Sequence, residues 1–250
     1  MITITPIPAF QDNYIWLISN SQHAVVVDPG DAAPVIAYLK KHKLTLDAIL
    51  VTHHHADHIG GIGELARHHP CKIYAPLKEK YDFTHEAVTD NQIIHLDNLQ
   101  LSLEVLDVPG HTLGHVAYYG ANSLFCGDTL FGAGCGRLFE GTPAQMFSTL
   151  QKLAQLPANT QIYCAHEYTE RNLQFALTVE PNNPALLRRI EQTHAARMAG
   201  KPSLPSSMAI ELSTNPFLRC NSAEIAKKMG LEDRELLEIF TAIRQARNVF

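Results

Sequence analysis

The sequence predicts an α/β domain followed by a smaller, all-helical domain. The first third of the chain alternates strand and helix patterns, the middle third is rich in strand patterns, and none follows residue 166. Histidines and aspartates stand directly after several of these strands, which is where open α/β sheets place their functional residues. We therefore expect a larger domain over residues 1–165 and a helical domain over residues 166–250.

The composition is that of a globular protein, with 46% hydrophobic and 18% charged residues among 250. A net charge of −5 lacks the basic footprint of a nucleic-acid-binding protein. No apolar run reaches the roughly 18 residues of a membrane span, and the N-terminus lacks the features of a signal peptide. Five cysteines, never spaced CxxC, indicate reduced thiols. We expect a cytoplasmic monomer without nucleic-acid or membrane partners.

The first third reads as strands and helices in turn. Residues 14–18 and 24–28 predict paired strands around a polar turn, and Asp31 predicts the cap of a helix. Residues 48–52 form an apolar run typical of a buried strand. A helix opening at Gly60 and Gly61 and ending near Arg67, and a short strand over residues 72–75, complete this part.

The middle third predicts strands with polar exits. Residues 99–108 alternate apolar and polar side chains, as a half-buried strand does, and residues 116–119 and 123–126 predict a hairpin. Thr142 as a cap and Pro143 in the first turn predict a helix to about Leu153. A last strand is predicted over residues 161–164.

The final third predicts helices and one loop. Helices are expected from Asn183-Pro184 to Gly200 and from Asn221 or Ser222 to Gly230. Residues 200–215, with two prolines, predict a loop. A final amphipathic helix is predicted over residues 232–247, with these residues facing inward: Leu236, Leu237, Phe240 and Ile243.

The loop after the buried strand 48–52 predicts a metal site. Its sequence, Thr52-His53-His54-His55-Ala56-Asp57-His58, offers imidazole and carboxylate ligands of the kind that zinc takes. His53 and His55 project to one side of an extended turn, whereas His54 projects to the other and is not expected to bind. Asp57 and His58 follow where the chain turns towards a helix and can face a second point. The loop thus predicts two ligand pairs and two metals.

Three further ligands follow separate strands: His111, Asp128 and His166. Seven ligands exceed one tetrahedral zinc but serve two metals if a carboxylate bridges them. We expect His53, His55 and His111 at one metal, and Asp57, His58 and His166 at the other, with Asp128 bridging. Two metals with a shared water between them indicate hydrolysis of an ester-like bond. His115 is interpreted as a packing or supporting residue, while Asp28 either orients a ligand imidazole or caps the next turn.

The His loop resembles the motif of the metallo-β-lactamase superfamily, whose fold is a four-layer αββα sandwich. Other segments are similar to one family within it, glyoxalase II or hydroxyacylglutathione hydrolase, from the N-terminus to Phe250. These segments are Pro109-Gly110-His111-Thr112, Phe125-Cys126-Gly127-Asp128-Thr129-Leu130-Phe131, Gly134-Cys135-Gly136-Arg137, Ala165-His166-Glu167-Tyr168-Thr169 and Asn215-Pro216-Phe217-Leu218-Arg219. The resemblance supports the seven metal ligands and implies a catalytic domain to residue 165 and a substrate-binding domain after it.

The resemblance also implies the reaction. S-(2-hydroxyacyl)glutathione, chiefly S-D-lactoylglutathione, and water give glutathione and D-lactate, the second step of methylglyoxal detoxification. The nucleophile is a hydroxide held by the two metals at Asp128. Because a thiolate leaves readily, no separate catalytic acid is expected. The metals are expected to be zinc, with iron and manganese as alternatives.

The family pattern implies a binding site for the carboxylates of glutathione. Arg137, Arg244 and Arg247 would grip its glycine end, and Tyr168 would donate a hydroxyl. Family members often have Lys where Arg137 stands and Tyr where Phe139 stands, and Phe139 cannot donate a hydrogen bond.

The alternatives are distinguishable. A persulfide dioxygenase of the superfamily would use one iron and would not need Asp57, His58 and His166 as ligands. A β-lactamase would have no use for the helical tail, and a nucleic-acid hydrolase would show a basic face. A metal-dependent binding module, the alternative outside enzymes, would have no use for an open bridging position.

Overall fold

The computed structural model describes residues 2–250. Two compact units are present, and each is built from separate stretches of chain. The first unit contains the residues up to Asp107 together with Leu113–Gly127, and the second contains Val108–Thr112 and Asp128–Phe250. His111 lies in the short segment Val108–Thr112 and so belongs to the second unit, whereas His115 belongs to the first.

A mixed six-stranded sheet carries the His loop in the first unit. Its strands, in spatial and chain order, are β1 (Thr3–Ala9), β2 (Asn13–Ser19), β3 (His23–Val27), β4 (Thr45–Leu50), β5 (Lys72–Pro76) and β6 (Glu86–Val88). The first three pair antiparallel, and β3 to β6 pair parallel. Parallel strands end at the same edge of a sheet, so Asp28 after β3 and the His loop after β4 come to one edge.

Helices connect the parallel strands of this sheet. They are α1 (Ala32–His42), α2 (Ala56–Ile59) and α3 (Ile62–His68). As predicted, Asp31 caps α1, since its side chain accepts a hydrogen bond from the backbone of Ala33. The core between helices and sheet contains fully buried aliphatic side chains such as Leu17, Val26 and Ile49. Each contributes about 1.5–3 kcal/mol through burial, which fixes the sheet edge that carries the His loop.

The first unit also contains four antiparallel strands in the order β10-β9-β8-β7. Their bounds are β7 (Ile93–Leu96), β8 (Leu101–Asp107), β9 (Val116–Gly120) and β10 (Ser123–Gly127), with a 3-10 turn over Asp97–Leu99 before β8. Leu103 in β8 is fully buried whereas Ser102 is exposed, as the alternating pattern predicts. Ala121 and Asn122 both have positive φ, the geometry of the tight turns that suit hairpins.

The second unit is mainly helical. Its helices are α4 (Pro143–Leu153), α5 (Thr169–Val179), α6 (Pro184–Met198), α7 (Met208–Thr214), α8 (Ala223–Met229) and α9 (Leu236–Val249), with a 3-10 turn over Pro216–Leu218. Two antiparallel pairs accompany them: β11 (Leu130–Phe131) with β12 (Gly134–Cys135), and β13 (Gln161–Cys164) with β14 (Ser206–Ser207). No helix among residues 2–250 is long and apolar enough to cross a bilayer.

Several predictions about the second unit were wrong. The stretch 200–215 is a loop only over residues 201–205, because Ser206–Ser207 pair as β14 and Ser207 caps α7 by accepting from the backbone of Ile210. The helix α9 begins at Leu236, not at residue 232. Leu236 and Leu237 are therefore in its first turn and are 41% and 37% exposed. The buried residues of α9 are Ile239, Phe240, Ile243 and Arg244.

Candidate metal centre and substrate site

The His loop of the first unit brings two pairs of ligand atoms together. The Nε2 atom of His53 lies 3.1 Å from Nδ1 of His55. The Oδ2 atom of Asp57 lies 3.5 Å from Nε2 of His58. Two ligands of one tetrahedral zinc, each about 2.0–2.1 Å from the ion, stand about 3.3 Å apart. Both pairs therefore have the spacing of atoms that share a metal.

Asp28 orients the second of these pairs. Its carboxylate accepts hydrogen bonds from the Thr52 backbone (2.8 Å) and the Thr52 hydroxyl (2.7 Å). The same oxygen that faces the hydroxyl lies 3.0 Å from Nδ1 of His58. A proton on Nδ1 leaves Nε2 with its lone pair towards Asp57. Asp28, His53 and His58 could themselves surround an ion, but these bonds already occupy Asp28. Of its two proposed roles, orientation is the one this geometry favours.

Other neighbouring side chains also hold residues of the His loop in place. Asn13 donates to Oδ2 of Asp57 at 3.0 Å. His54 pairs with the buried carboxylate of Glu79 through Nδ1 at 3.1 Å, on a contact separate from the ligand pairs. The ring of His115 stacks on that of His53, with centroids 4.5 Å apart. His115 thus packs against a ligand, in keeping with the supporting role expected for it.

In the second unit, Asp128 faces two histidines through different oxygens. Oδ2 lies 3.4 Å from Nε2 of His111, and Oδ1 lies 3.4 Å from Nε2 of His166. All three side chains are buried, with 7% or less of each residue exposed. A carboxylate that offers one oxygen beside each of two imidazoles has the arrangement required of a bridge between two metals.

Neighbouring residues also orient the imidazole rings of His111 and His166 in the second unit. Nδ1 of His111 donates to the Arg137 carbonyl at 2.7 Å, which presents Nε2 to Asp128. The ring of Tyr168 stacks on His166 with centroids 4.7 Å apart and planes within 3°. The donor set and its supports fit divalent metals, and each ligand predicted from the sequence lies in one of these two groups.

Three of the four predicted substrate residues, Arg137, Arg244 and Arg247, form part of a cluster of arginines in the second unit. Burial lowers the pKa of Arg247, and the charges of Arg244, Arg171 and Arg137 lower it further. Three guanidinium groups that disfavour the charge of Arg247 form, together with it, a site that an anion would stabilise. Arg171 was not among the predicted substrate residues, although it lies on the helix that directly follows Tyr168.

The two arginines of α9 differ in burial and in hydrogen-bond partners. Arg244 is 5% exposed, and its Nη1 donates to the Cys135 carbonyl at 2.8 Å. Its buried Nε has no hydrogen-bond partner among residues 2–250. Arg247 is half-buried and donates to the side-chain oxygen of Asn172 at 3.1 Å. Arg244 is thus a buried support as well as a cation.

Cys135 is unsuited to nucleophilic catalysis despite its position beside Arg244. Its sulfur lies 3.5 Å from Nη1 of Arg244, which favours the thiolate. Burial nevertheless raises the pKa of the thiol above its ordinary value and outweighs the nearby charge. The thiol stays protonated at neutral pH and is a poor nucleophile.

Fold and ligand set define the class of protein. Residues 9–166 match the family model described as the metallo-beta-lactamase superfamily. The crystal structure of ETHE1 from Myxococcus xanthus is similar, with a TM-score of 0.67 and 23% identity, covering 100% of this chain and 99% of that one. TTHA1623 in a di-iron-bound form has a TM-score of 0.63 at 23% identity, covering 86% and 100%. The chain has the metallo-β-lactamase fold with a C-terminal helical region, as predicted.

The remainder of the chain identifies the family. Residues 167–250 match the model described as hydroxyacylglutathione hydrolase C-terminus. A hydroxyacylglutathione hydrolase of Methylobacillus flagellatus is 58% identical, and one of Dechloromonas aromatica is 52% identical, each over all of both chains. The chain belongs to the hydroxyacylglutathione hydrolase family, and the resemblance found in the sequence is confirmed. The predicted domain boundary at residue 165 stays a prediction.

Proposed function

We propose that this chain hydrolyses the thioester of S-(2-hydroxyacyl)glutathione, chiefly S-D-lactoylglutathione, to glutathione and D-lactate. The observation that carries the proposal is the arrangement around Asp128, whose two oxygens face two different histidines. Full-length identity of 58% to a hydroxyacylglutathione hydrolase supports the choice of substrate. In this proposal the reaction is the second step of methylglyoxal detoxification.

The proposed cofactors are two divalent metal ions. We assign His53, His55 and His111 to one ion, and Asp57, His58 and His166 to the other, with Asp128 as the bridge. The ligand spacings of 3.1–3.5 Å within each unit support this assignment. When bound, such ions lower the pKa of a shared water to about 7 and polarise the thioester carbonyl.

The chain's own residues set the geometry of that chemistry. Asn13 fixes the Asp57 carboxylate, Asp28 fixes the His58 ring, and the Arg137 carbonyl fixes the His111 ring. The leaving group is a thiolate, whose conjugate thiol has a pKa of about 8.5, so it departs without a proton donor. We therefore assign no catalytic acid separate from the metal ligands.

The arginine cluster is the proposed site for the glutathione carboxylates. Arg137, Arg244 and Arg247 are assigned to its glycine end, with Tyr168 donating its hydroxyl. Burial and, after it, the charges of Arg244, Arg171 and Arg137 lower the pKa of Arg247; this supports an anion site, because a carboxylate would offset those charges. The unpartnered Nε of Arg244 leaves a donor for such a ligand. Phe139 is 61% exposed beside His111 and offers no hydroxyl there.

Zinc is the proposed metal, and iron and manganese are the alternatives, since all three accept nitrogen and oxygen ligands. We further propose a cytoplasmic monomer whose partner is the small-molecule thioester, without nucleic-acid or membrane partners. Five cysteines that are free thiols support a reducing compartment. Light scattering of the purified protein tests the monomer, and elemental analysis of protein from metal-supplemented cells tests the metal.

The test of function is steady-state hydrolysis of S-D-lactoylglutathione, compared with a simple thioester that lacks the glutathione carboxylates. Strong preference for the glutathione thioester would support both the reaction and the arginine site. No turnover by protein that carries two metals would refute the proposal. Oxygen consumption with glutathione persulfide, together with one iron per chain, would instead identify a persulfide dioxygenase.

A further inference from the structure

The hairpin β11–β12 of the second unit is held in a strained conformation. Its turn residue Ala133 has φ of +53°, a left-handed conformation that is unfavourable for a residue with a side chain. On either side, the backbone of Gly132 packs on Thr169 and that of Gly134 packs on Asn172, too closely for any side chain. A conformation of this kind persists only where surrounding groups hold it.

Glu211 and Asn215 bond the turn of the hairpin, in addition to Asn172, which donates to the Gly132 carbonyl at 3.0 Å. Glu211 is fully buried, and one of its oxygens accepts the backbone N–H of Ala133 at 2.9 Å. Asn215 donates from Nδ2 to the carbonyls of Phe131 (3.2 Å) and Gly134 (2.9 Å), and to the same oxygen of Glu211 (3.0 Å). Three backbone groups of the hairpin, namely the Phe131 carbonyl, the Ala133 N–H and the Gly134 carbonyl, are thus bonded by one carboxylate and one amide.

The Glu211 carboxylate is in turn fixed by charge. Its second oxygen accepts hydrogen bonds from Nη2 of Arg189 and from the Ser206 hydroxyl. Arg189 is itself 7% exposed and also donates to the hydroxyl of Thr214 at 2.6 Å. Every group that faces either oxygen of Glu211 is a donor. A carboxylate satisfies this environment, whereas an amide would oppose a donor with a donor.

The hairpin connects this cluster to two proposed metal ligands. Asp128 lies two residues before β11, and Gly136 follows β12 and donates to the Thr129 carbonyl at 3.0 Å. Gly136 also packs on the Asp128 carbonyl so closely that no side chain fits. The next residue, Arg137, supplies the carbonyl that orients His111. A shift of the hairpin would therefore move the Asp128 carboxylate and release the His111 ring together.

We propose that Glu211 and Asn215 are positioning residues of the metal centre: by holding the β11–β12 turn they fix the Asp128 carboxylate and the carbonyl that orients His111. The inference rests on the proposed function, because Asp128 and His111 are metal ligands only under it. Replacing a group that orients a metal ligand typically weakens metal binding by about 10- to 100-fold.

The test replaces Glu211 by Gln and, separately, Asn215 by Ala in the full-length chain loaded with zinc. Zinc affinity is measured by competition with a chromogenic chelator, and kcat and KM are measured with S-D-lactoylglutathione. We expect zinc to bind about tenfold more weakly in both variants, and kcat to fall with the loss of metal. Asn215→Ala retains the Arg189–Glu211 ion pair and serves if Glu211→Gln does not fold.

Glu180→Gln is the matched control. Glu180 is a 3% exposed carboxylate of the same unit that accepts from Arg219, Ser222 and Asn183, all donors, and none of these belongs to the hairpin. It should lower the melting temperature while zinc affinity and kcat stay at their wild-type values. Wild-type zinc affinity and kcat in folded Glu211→Gln or Asn215→Ala would overturn the inference. An inactive wild-type protein would refute the proposed function instead, leaving the zinc measurement to decide the positioning role.

Discussion

Replacement of Asp28 by Asn would test how the His loop is oriented. The carboxylate takes hydrogen bonds on both oxygens, from the Thr52 backbone on one and from the Thr52 hydroxyl and His58 on the other. An amide of the same shape must place its NH2 group against one of these sets. Opposite His58, it would favour a lone pair on Nδ1 and move the ring proton to Nε2, the atom assigned to the metal. Opposite the Thr52 N–H, the NH2 group would break the backbone hydrogen bond that holds the loop.

The size of the effect follows from the bonds lost. A buried hydrogen bond to a charged group contributes about 1.5–3 kcal/mol, and Asp28 is only 4% exposed. If that free energy is lost from the metal-binding conformation, zinc should bind about 10- to 100-fold more weakly. The rate at saturating substrate should fall as well, because one of the two ions would be displaced or missing.

The assay is chelator competition for zinc, with kcat measured on the same preparations. Asp47→Asn is the matched control, since Asp47 lies 2.9 Å from Nδ1 of His23 in the same unit and accepts from Asn98 on its other oxygen. This is a carboxylate–imidazole contact without a proposed metal ligand. Wild-type zinc affinity in Asp28→Asn, or an equal loss in both variants, would refute the orienting role.

Four further changes test the site and its support. Asp128→Ala should abolish hydrolysis and leave fewer than two metals per chain by elemental analysis, since it removes the bridge; two retained metals with the full rate would contradict that assignment. Arg247→Ala should raise KM about tenfold with little change in kcat, because one charge-assisted hydrogen bond is lost; an unchanged KM would remove it from the binding site. Phe139→Tyr should lower KM by about three- to tenfold, as its ring is 61% exposed and can carry a hydroxyl without burying it; an unchanged or higher KM would argue against a substrate contact there. Burial raises the pKa of Glu180, but hydrogen bonds from Arg219, Ser222 and Asn183 outweigh this and hold it below the ordinary 4.5. That stabilisation is present above the unfolded-state pKa and is lost as pH falls through the folded-state value, so urea unfolding should show a steeper acid loss in wild type than in Glu180→Gln; parallel curves would contradict it.

Local signals explain which elements could be predicted from the sequence. The helix α4 has the predicted bounds, and its start could be recognised because Thr142 and Gln145 form a capping box and Pro143 occupies the first turn. The strand β13 has the predicted bounds, residues 161–164. The ligand residues could be named because they follow buried strands directly, and a strand end needs no distant partner to be recognised.

The missed elements depend on partners far along the chain. The helix α7 follows a proline-rich stretch and carries Glu211, a charged residue that a sequence pattern assigns to the surface. It is fully buried because Arg189, 22 residues earlier, and Ala133, 78 residues earlier, bond its two oxygens. The first strand was missed for a related reason, since Thr3–Ala9 contains two prolines and only its pairing with β2 shows it to be an edge strand.

For Arg244 and Arg247, the helical pattern predicts the shared helix face but not the burial of each side chain. Their spacing of three residues correctly indicates one face of a helix, but not which of them is buried. Arg244 is buried because the Cys135 carbonyl accepts from it and the ring of Phe217 lies 5.0 Å from its guanidinium carbon. It therefore stabilises the residues after the β11–β12 turn as well as offering a donor to a substrate carboxylate. Removing it would change metal positioning and substrate binding together. Among residues 2–250, Arg247 hydrogen-bonds to the Asn172 side chain and not to the hairpin backbone, so its removal should act mainly on substrate binding.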